Sequence, residues 1–425
     1  MKEKMLMKLE RDRLASRVAS LEAQMRQLEG ARPAEDAMQA TQPPPGPKKP
    51  RGATLPPDSR DNPHLEREYA PANVARWGLA KTFQAHSASV SALAMHPTKP
   101  IVATASDDGL WKMWSLTGGD LIMSGDGHKG WLSGIDFSPA GRQLATCAED
   151  GTLKIWDFEK SRCVQTLVEH TQAVWGLAYM TDCPEFIVSK RAALRLPLRA
   201  LAVFLQPPSP PSLPSTSTST TCSPLAPHPS PFTLHPRPPL QASCSMDHTA
   251  KLWDLTVGRC RQTLRGHVDS INSIVFQPYA NVVATASGDK TVSLWDCRSG
   301  LCAQTFYGHK NAVNSTGFNM QGDCVVSSDA DGWVRLWDIR KVQEMAAIQA
   351  SEHPCNTACF DTSGKVIAVA CDDSMVRTYD SASGSLISTM QGHSDAVQCA
   401  IFGSSATSPG FLVTGSSDCT FRTWQ

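Results

Sequence analysis

Six histidines recur along the chain, each with an aspartate and a tryptophan behind it. The sets are His86, Asp108 and Trp114; His128, Asp150 and Trp156; His170, Asp247 and Trp253; His267, Asp289 and Trp295; His309, Asp331 and Trp337; and His393, Asp418 and Trp424. An imidazole beside a carboxylate can ligate a metal or relay a proton, so such pairs could do metal or acid–base chemistry. The same pairing also has a purely structural origin. A buried carboxylate and a buried indole N–H each need a partner, and an imidazole together with a hydroxyl such as that of Ser287 bridges them. Spacing favours the structural reading. Four copies place the Trp 28 residues after the His, and Trp114 to Trp156, Trp295 to Trp337 and Trp337 to Tyr379 are each 42 residues apart. Side chains recurring at such a period sit in successive structural units, so the six histidines are spread out and do not converge on one centre.

The units that must position them are short strands. The histidines follow Ala85, Gly127, Glu169, Gly266, Gly308 and Gly392, and four of the tryptophans precede Asp157, Asp254, Asp296 and Asp338. A seventh copy is degenerate, with Ser351 in the His place, Asp373, and Tyr379 for Trp. Gly-His and Trp-Asp marks at a period of roughly 40–45 residues identify an all-β, seven-bladed WD-repeat β-propeller. Four residues past the His place every copy is apolar (Val90, Leu132, Val174, Ile271, Val313, Cys355, Val397), and six past it every copy is small (Ala92, Gly134, Gly176, Ser273, Ser315, Thr357, Cys399). Strands crowded around an axis need small side chains where they meet. Turn chemistry surrounds each Asp, as in Asp150-Gly151 and Gly288-Asp289-Lys290. The last copy stops at Trp424, one outer strand short, and Lys81–Ala85 matches the outer strands before the other Gly-His marks. The expectation is that Lys81–Ala85 pairs with the strand ending at Trp424 and closes a ring spanning 79–425, which removes the free sheet edges. In the same copy Ser404–Gly410 is expected to lengthen a hairpin turn.

The third copy is interrupted. Its second strand is expected to begin at Glu185–Ser189 and resume at Cys244, with residues 190–243 as a foreign insertion. That stretch holds 13 prolines, no Asp or Glu, and five basic residues, a composition that cannot build a packed core. It reads either as a disordered loop extruded from blade three or as a translated intron. Residues 1–30 differ again. Met7, Leu14, Leu21 and Leu28 recur every seven residues, with Val18 and Met25 between them, which marks a short coiled-coil helix and a homodimer through residues 4–28; a lone amphipathic helix is the alternative. Residues 31–78 form a Pro-rich linker expected to be disordered. Its Lys48-Lys49-Pro50-Arg51 cluster reads as solvated linker charge rather than a nuclear signal.

Lys and Arg balance Asp and Glu at 40 each, which argues against a nucleic-acid surface. Met1-Lys2-Glu3-Lys4 leads into a charged helix rather than a signal peptide, and the apolar run at 192–205 is too short and too basic to span a membrane. The cysteines are scattered singly, without CxxC pairs, and read as reduced thiols with no zinc site. No cofactor, metal or catalytic group is expected, so the chain reads as a non-enzymatic platform. Contacts on a propeller fall on its loops, and exposed aromatics anchor them best. Trp131 and Trp175, with Lys129 and Arg142 flanking Trp131, are therefore the candidate partner-binding residues; packing between blades is the alternative.

The wording of the repeats is closer to one family than to others. His96-Pro97-Thr98-Lys99, Thr104–Asp108 with Leu110–Trp114, Gly127-His128 with Trp131–Gly134, Ala173-Val174-Trp175 and Tyr307-Gly308-His309 resemble the sperm-associated antigen 16 family. Those are WD-repeat proteins of the axonemal central apparatus in motile cilia and flagella. The resemblance covers about residues 80–425 outside the insertion, which has no counterpart in it. The heptads fit, although the coiled coil is short beside what the family has. It implies a dimeric scaffold in the cytoplasm and cytoskeleton of the cilium or flagellum, with central-pair proteins and microtubules as partners, supporting central-pair assembly or stability and motility. The rival is a cytosolic adaptor on the same plan: centriolar, dynein-regulating, or a substrate receptor of a ubiquitin ligase.

Overall fold

A computed structural model describes residues 62–65, 67–180, 240–405 and 408–425. All belong to a unit spanning residues 53–425. They form seven antiparallel sheets of four strands each. Blade one runs from Val90–Met95 out to Leu121–Gly125, blade two from Leu132–Phe137 to Arg162–Val168, and blade three from Val174–Tyr179 to Arg259–Arg265. Blade four runs from Ile271–Phe276 to Cys302–Tyr307, blade five from Val313–Phe318 to Gln343–Gln349, and blade six from Cys355–Phe360 to Leu386–Gln391. Blade seven takes Val397–Ser405, Ser408–Ser416 and Thr420–Trp424, and its outer strand is Leu79–Gln84. The closing register sets Phe83 opposite Phe421 and Leu79 opposite Trp424. Phe83 and Phe421 stack with centroids 4.3 Å apart and planes 5° apart.

The innermost strands share one device. In each, the register slips after the first residue, so Ser91, Ser133, Trp175, Asn272, Asn314, Asn356 and Gln398 each sit in a β-bulge. A bulge re-aims a side chain, and here the aim is mostly the next blade. Ser91 Oγ donates to Leu132 O at 2.5 Å, and Ser133 Oγ to Val174 O. Asn272 donates to Val313 O at 2.9 Å, Asn314 to Cys355 O at 3.1 Å and Asn356 to Val397 O at 3.0 Å. The buried core lies between blades: Trp295 packs with the blade-three cluster, and Trp337 with the blade-four cluster.

The structure departs from three expected boundaries. The second strand of blade three is Leu240–Ser245, and it pairs with Val174–Tyr179. Leu240–Ser243 therefore belong to the propeller and not to the insertion, because all four side chains are buried and Ser243 is needed inside the blade. The seam lies where the Met180 N–H donates to Leu240 O at 3.2 Å. Residues 181–239, which include the expected strand start at 185–189, lie outside the described residues, as does the heptad segment 1–30.

Secondly, residues 67–78 are not a loose linker. With Asn62 and His64 they form a strap across the turns that join first and second strands. Asn62 Nδ2 donates to Met320 O at 3.2 Å and Gln321 O at 3.1 Å. The His64 ring meets the hydroxyls of Tyr69 at 2.5 Å and Tyr279 at 3.1 Å. Ala72 N donates to Asp361 at 3.2 Å, Val74 is buried, and Trp77 packs on Phe402. The strap thus touches blades four to seven before entering the closing strand.

Thirdly, the extra residues of blade seven extend its strands instead of a turn. Val397–Ser405 and Ser408–Ser416 are nine residues each, and Ser405 pairs with Ser408.

Candidate functional site

Each His enters from the loop before an inner strand, and in every such blade but the fifth its Asp comes from the turn between second and third strands. In blade four, His267 Nδ1 lies 2.7 Å from Asp289, Nε2 lies 2.7 Å from Thr285 Oγ1, and Trp295 Nε1 donates to the same hydroxyl at 2.8 Å. One proton arrangement satisfies every atom. Nδ1–H donates to the carboxylate, the threonine O–H donates to Nε2, and the indole N–H donates to the threonine oxygen. The arrangement repeats with Thr104, Thr146, Ser243 and Thr414 as the hydroxyl in blades one, two, three and seven. The carboxylate also accepts the backbone N–H after the His, as Asp108 does from Ser87 and Asp418 from Ser394. The residue following the Asp takes a left-handed φ, held by Gly109 and Gly151 but also by His248, Lys290, Ser374 and Cys419.

The electrostatics follow from burial and these bonds. Burial outweighs the pull of Asp108, Asp150 and Asp418 and holds His86, His128 and His393 below the usual histidine value. Burial pushes Asp418 up, but bonds from Thr420, His393 and Ser394 outweigh it and hold it at about 2. Each locked in its own blade with both ring nitrogens engaged, the imidazoles brace turns and offer no free nitrogen to a metal. Among the described residues no three His, Cys, Asp or Glu side chains converge as metal ligands.

Blade five departs from the sequence assignment. The partner of His309 is Asp329, at 2.7 Å, and not Asp331. Other blades carry a Ser two places before the turn Asp (Ser106, Ser245, Ser287, Ser416), and it supports that Asp's backbone. Blade five carries Asp329 at that place, so its carboxylate reaches the imidazole first. Asp331 stays in the turn and accepts from Asn311 at 2.8 Å. Blade six has no imidazole at the tetrad place, which Ser351 holds. Ser351 Oγ donates to Asp373 at 3.0 Å, and Arg377 pairs with the same carboxylate at 2.7 Å.

Trp131 and Trp175 come together at the His/Asp end, where blades two and three meet. Their ring centroids are 5.1 Å apart at 45°. Both are half-buried, and Lys129 beside them is exposed. Trp175 occupies the bulge place, and its Nε1 is buried with no partner among the described residues, where Ser91, Ser133, Asn272, Asn314 and Asn356 bond forward across the interface. Arg142 does not flank this pair. It lies in the turn after Leu132–Phe137, at the other end of a strand of about 20 Å.

The axial channel, about 700 Å³, is lined by the inner strands. Its described lining includes one carboxylate, Asp136, at a place where the other blades carry Ala94, Ala178, Val275, Gly317, Cys359 and Ile401. Asp136 accepts the Tyr179 N–H at 2.7 Å and the Phe137 N–H at 2.9 Å, and burial pushes its carboxyl up to about 7. Comparing the copies at this place would have singled it out from the sequence.

The repeat profile described as WD domain, G-beta repeat, matches residues 77–115, 119–157, 225–254, 258–296 and 300–338. The profile of the anaphase-promoting complex subunit 4 WD40 domain matches 352–405. The chain is 40% identical over 168 residues to the flagellar WD repeat-containing protein Pf20 of Chlamydomonas reinhardtii, covering 30% of this chain and 28% of that one. It is 30% identical over 161 residues to the human sperm-associated antigen 16 protein, covering 31% and 26%. Over 56 residues it is 41% identical to the mouse protein, covering 13% and 9%. The matches thus span less than a third of each of these relatives. A closed ring of seven such blades makes the chain a WD-repeat β-propeller, similar over part of its length to flagellar and sperm-associated WD-repeat proteins.

Proposed function

We propose that the chain is a non-enzymatic scaffold of the axonemal central apparatus, needed for central-pair assembly or stability and for motility. The observation that carries this reading is the similarity to a flagellar WD-repeat protein over 168 residues, joined to a ring whose His–Asp pairs are consumed in bracing turns. The Trp131–Trp175 pair at the His/Asp end, with Lys129 at its rim, is the docking face for a central-pair protein, since half-buried aromatics that meet across two blades give a rigid anchor. Residues 4–28 join two copies as a parallel dimer, so that two modest platforms act together.

A tagged copy expressed in a motile, flagellated cell tests the proposal. It should decorate the axoneme along its length, and the W131A/W175A double variant should lose that decoration while keeping the melting temperature within a few degrees. Diffuse or basal-body staining of the unaltered protein overturns the scaffold reading. Sedimentation of the purified protein tests the dimer: L14D/L21D should be monomeric with an intact ring, and a monomeric parent at micromolar concentration refutes the coiled coil.

A further inference from the structure

Blade six lacks more than its histidine. The hydroxyl place of the other tetrads is Val369, and the Trp place is Tyr379, whose hydroxyl turns to Ala350 O at 3.4 Å. The same blade is also unlike the others at the facing residues just beneath the missing tetrad. Blades one, four and seven pair an aliphatic residue with a serine there: Val90 with Ser106, Ile271 with Ser287, and Val397 with Ser416. Blade six pairs Cys355 with Cys371.

Facing residues on adjacent antiparallel strands have Cα atoms roughly 4.5–5.5 Å apart, inside the range of roughly 4.4–6.8 Å that a disulfide spans. The two sulfurs are already 3.5 Å apart and in direct contact. Both thiols are buried, so a peroxide reaches them through local opening of the blade. The place left by the imidazole belongs to a cleft of about 470 Å³ lined by Ser351, His353, Asp373 and Arg377. Arg377 pairs with Asp373 at 2.7 Å, and its charge acts on the Cys371 thiol.

We propose that Cys355 and Cys371 are a redox modification site: a reduced dithiol that a peroxide converts to a cross-strand disulfide, stapling blade six where its tetrad is absent. Cys371 loses its proton, its thiolate attacks one peroxide oxygen, the O–O bond breaks, and the product is a sulfenic acid, with the departing hydroxide taking up that proton as the first water. The Cys355 thiol then attacks the Cys371 sulfur, the S–O bond breaks, and water leaves with the thiol proton. The two sulfurs together give up two electrons, and one peroxide becomes two waters. A dithiol reductant reverses the step. Electrostatics assign the roles. The bond from Cys355, opposed by burial and aided by Arg377, holds Cys371 below its ordinary value, whereas the same contact raises Cys355. Cys371 is therefore the attacking sulfur and Cys355 the resolving one.

The test is mass spectrometry of the full chain treated with hydrogen peroxide under native conditions, then digested with trypsin without reduction. Peptides 342–365 and 366–377 should appear linked, with the mass of two hydrogens lost, and should separate after dithiothreitol. The parent should also lose two alkylatable thiols on oxidation. The controls are C355V and C371S, which install residues found at these places in other blades and so should fold; neither should give the link. Failure of the parent to link, conversion of Cys371 to sulfinic acid without linkage, or a link that persists in C355V through Cys359 overturns the proposal.

Discussion

Replacing Asp329 with alanine should injure the ring far more than replacing Asp331, although Asp331 holds the aligned position of the repeat. Asp329 is 1% exposed and accepts three bonds: from His309 at 2.7 Å, from Asp331 N at 3.0 Å and from Trp333 N at 2.8 Å. Bonds to an ionised group are worth roughly 1.5–3 kcal/mol each. Water entering the vacated turn recovers part of that, so the expected loss for D329A is about 3–5 kcal/mol, in the range for breaking a buried pair. Asp331 is exposed and accepts one side-chain bond, from Asn311, so D331A should cost less than about 1 kcal/mol. At about 2 °C per kcal/mol for a large domain, D329A should melt about 6–10 °C lower, and D331A within about 2 °C. Backbone amide exchange should accelerate first in the Trp333–Asp338 and Val313–Phe318 strands. A further variant sharpens the argument. D329S restores the serine seen in four other blades and frees Asp331 to swing into His309, so it should recover much of the loss, and D329S/D331A should lose it again. If D331A melts as low as D329A, or D329S melts no higher than D329A, the reassignment is wrong.

Excising residues 181–239 and bridging Met180 to Leu240 with the blade-two turn Ser138–Arg142 should leave the melting temperature equal or higher, because the two ends already touch at 3.2 Å and a shorter loop closes at lower entropic cost; a lower melting temperature refutes this. Deleting Leu79–Gln84 removes the outer strand of blade seven and the Phe83–Phe421 stack, and loss of the aromatic alone should cost about 3–5 kcal/mol; size-exclusion chromatography should show oligomers growing from the bared edge, and a monomeric, equally stable product sinks the closure argument. Acidification should destabilise the ring below the usual histidine value of 6.5, because His86, His128 and His393 are held below it when folded, so their contribution is present above 6.5 and is lost as protons bind the unfolded chain. Asp136 runs the other way: raised to about 7, it penalises the folded state progressively as the pH climbs from the ordinary carboxylate value to about 7 and by a constant amount above that, so the stability of D136N relative to the parent should rise by about 3–4 kcal/mol between pH 4 and pH 8, and a difference independent of pH would refute it.

The repeats made the propeller legible because the His, Asp and Trp of one tetrad must recur at a fixed offset once each sits in an identical turn or strand. The closing strand was legible for the same reason, since Lys81–Ala85 carries the pattern of the other outer strands. Asp329 was hidden because two aspartates stand two residues apart, and only geometry decides which reaches the imidazole. The seam of blade three was hidden because Phe186-Ile187-Val188-Ser189 has the look of a strand, while Leu240–Ser243 merges into the proline-rich run. The strap had no periodic signal at all; its partners Met320, Asp361 and Phe402 are distant in sequence. Trp131 and Trp175 were each readable as aromatics near the loop before an inner strand, but that they meet across blades two and three was not. Arg142 was misplaced because nearness in sequence was taken for nearness in space across a full strand.

The closing strand has a consequence for how the protein is made. Leu79–Gln84 leaves the ribosome before any other strand of the ring, and its partner Thr420–Trp424 leaves last. Blades one to six can each complete four strands as they emerge, but Phe83 must wait for Phe421 through the synthesis of all of them. During that interval the nascent chain carries an unsatisfied β edge and an exposed aromatic, the features that invite pairing between neighbouring polysomal chains. The strap residues around Val74 can shorten the wait only after blades four to seven exist to receive them. Yield of this protein in a cell should therefore depend on the speed of translation and on chaperones that cover a strand edge, quite apart from the stability of the finished ring.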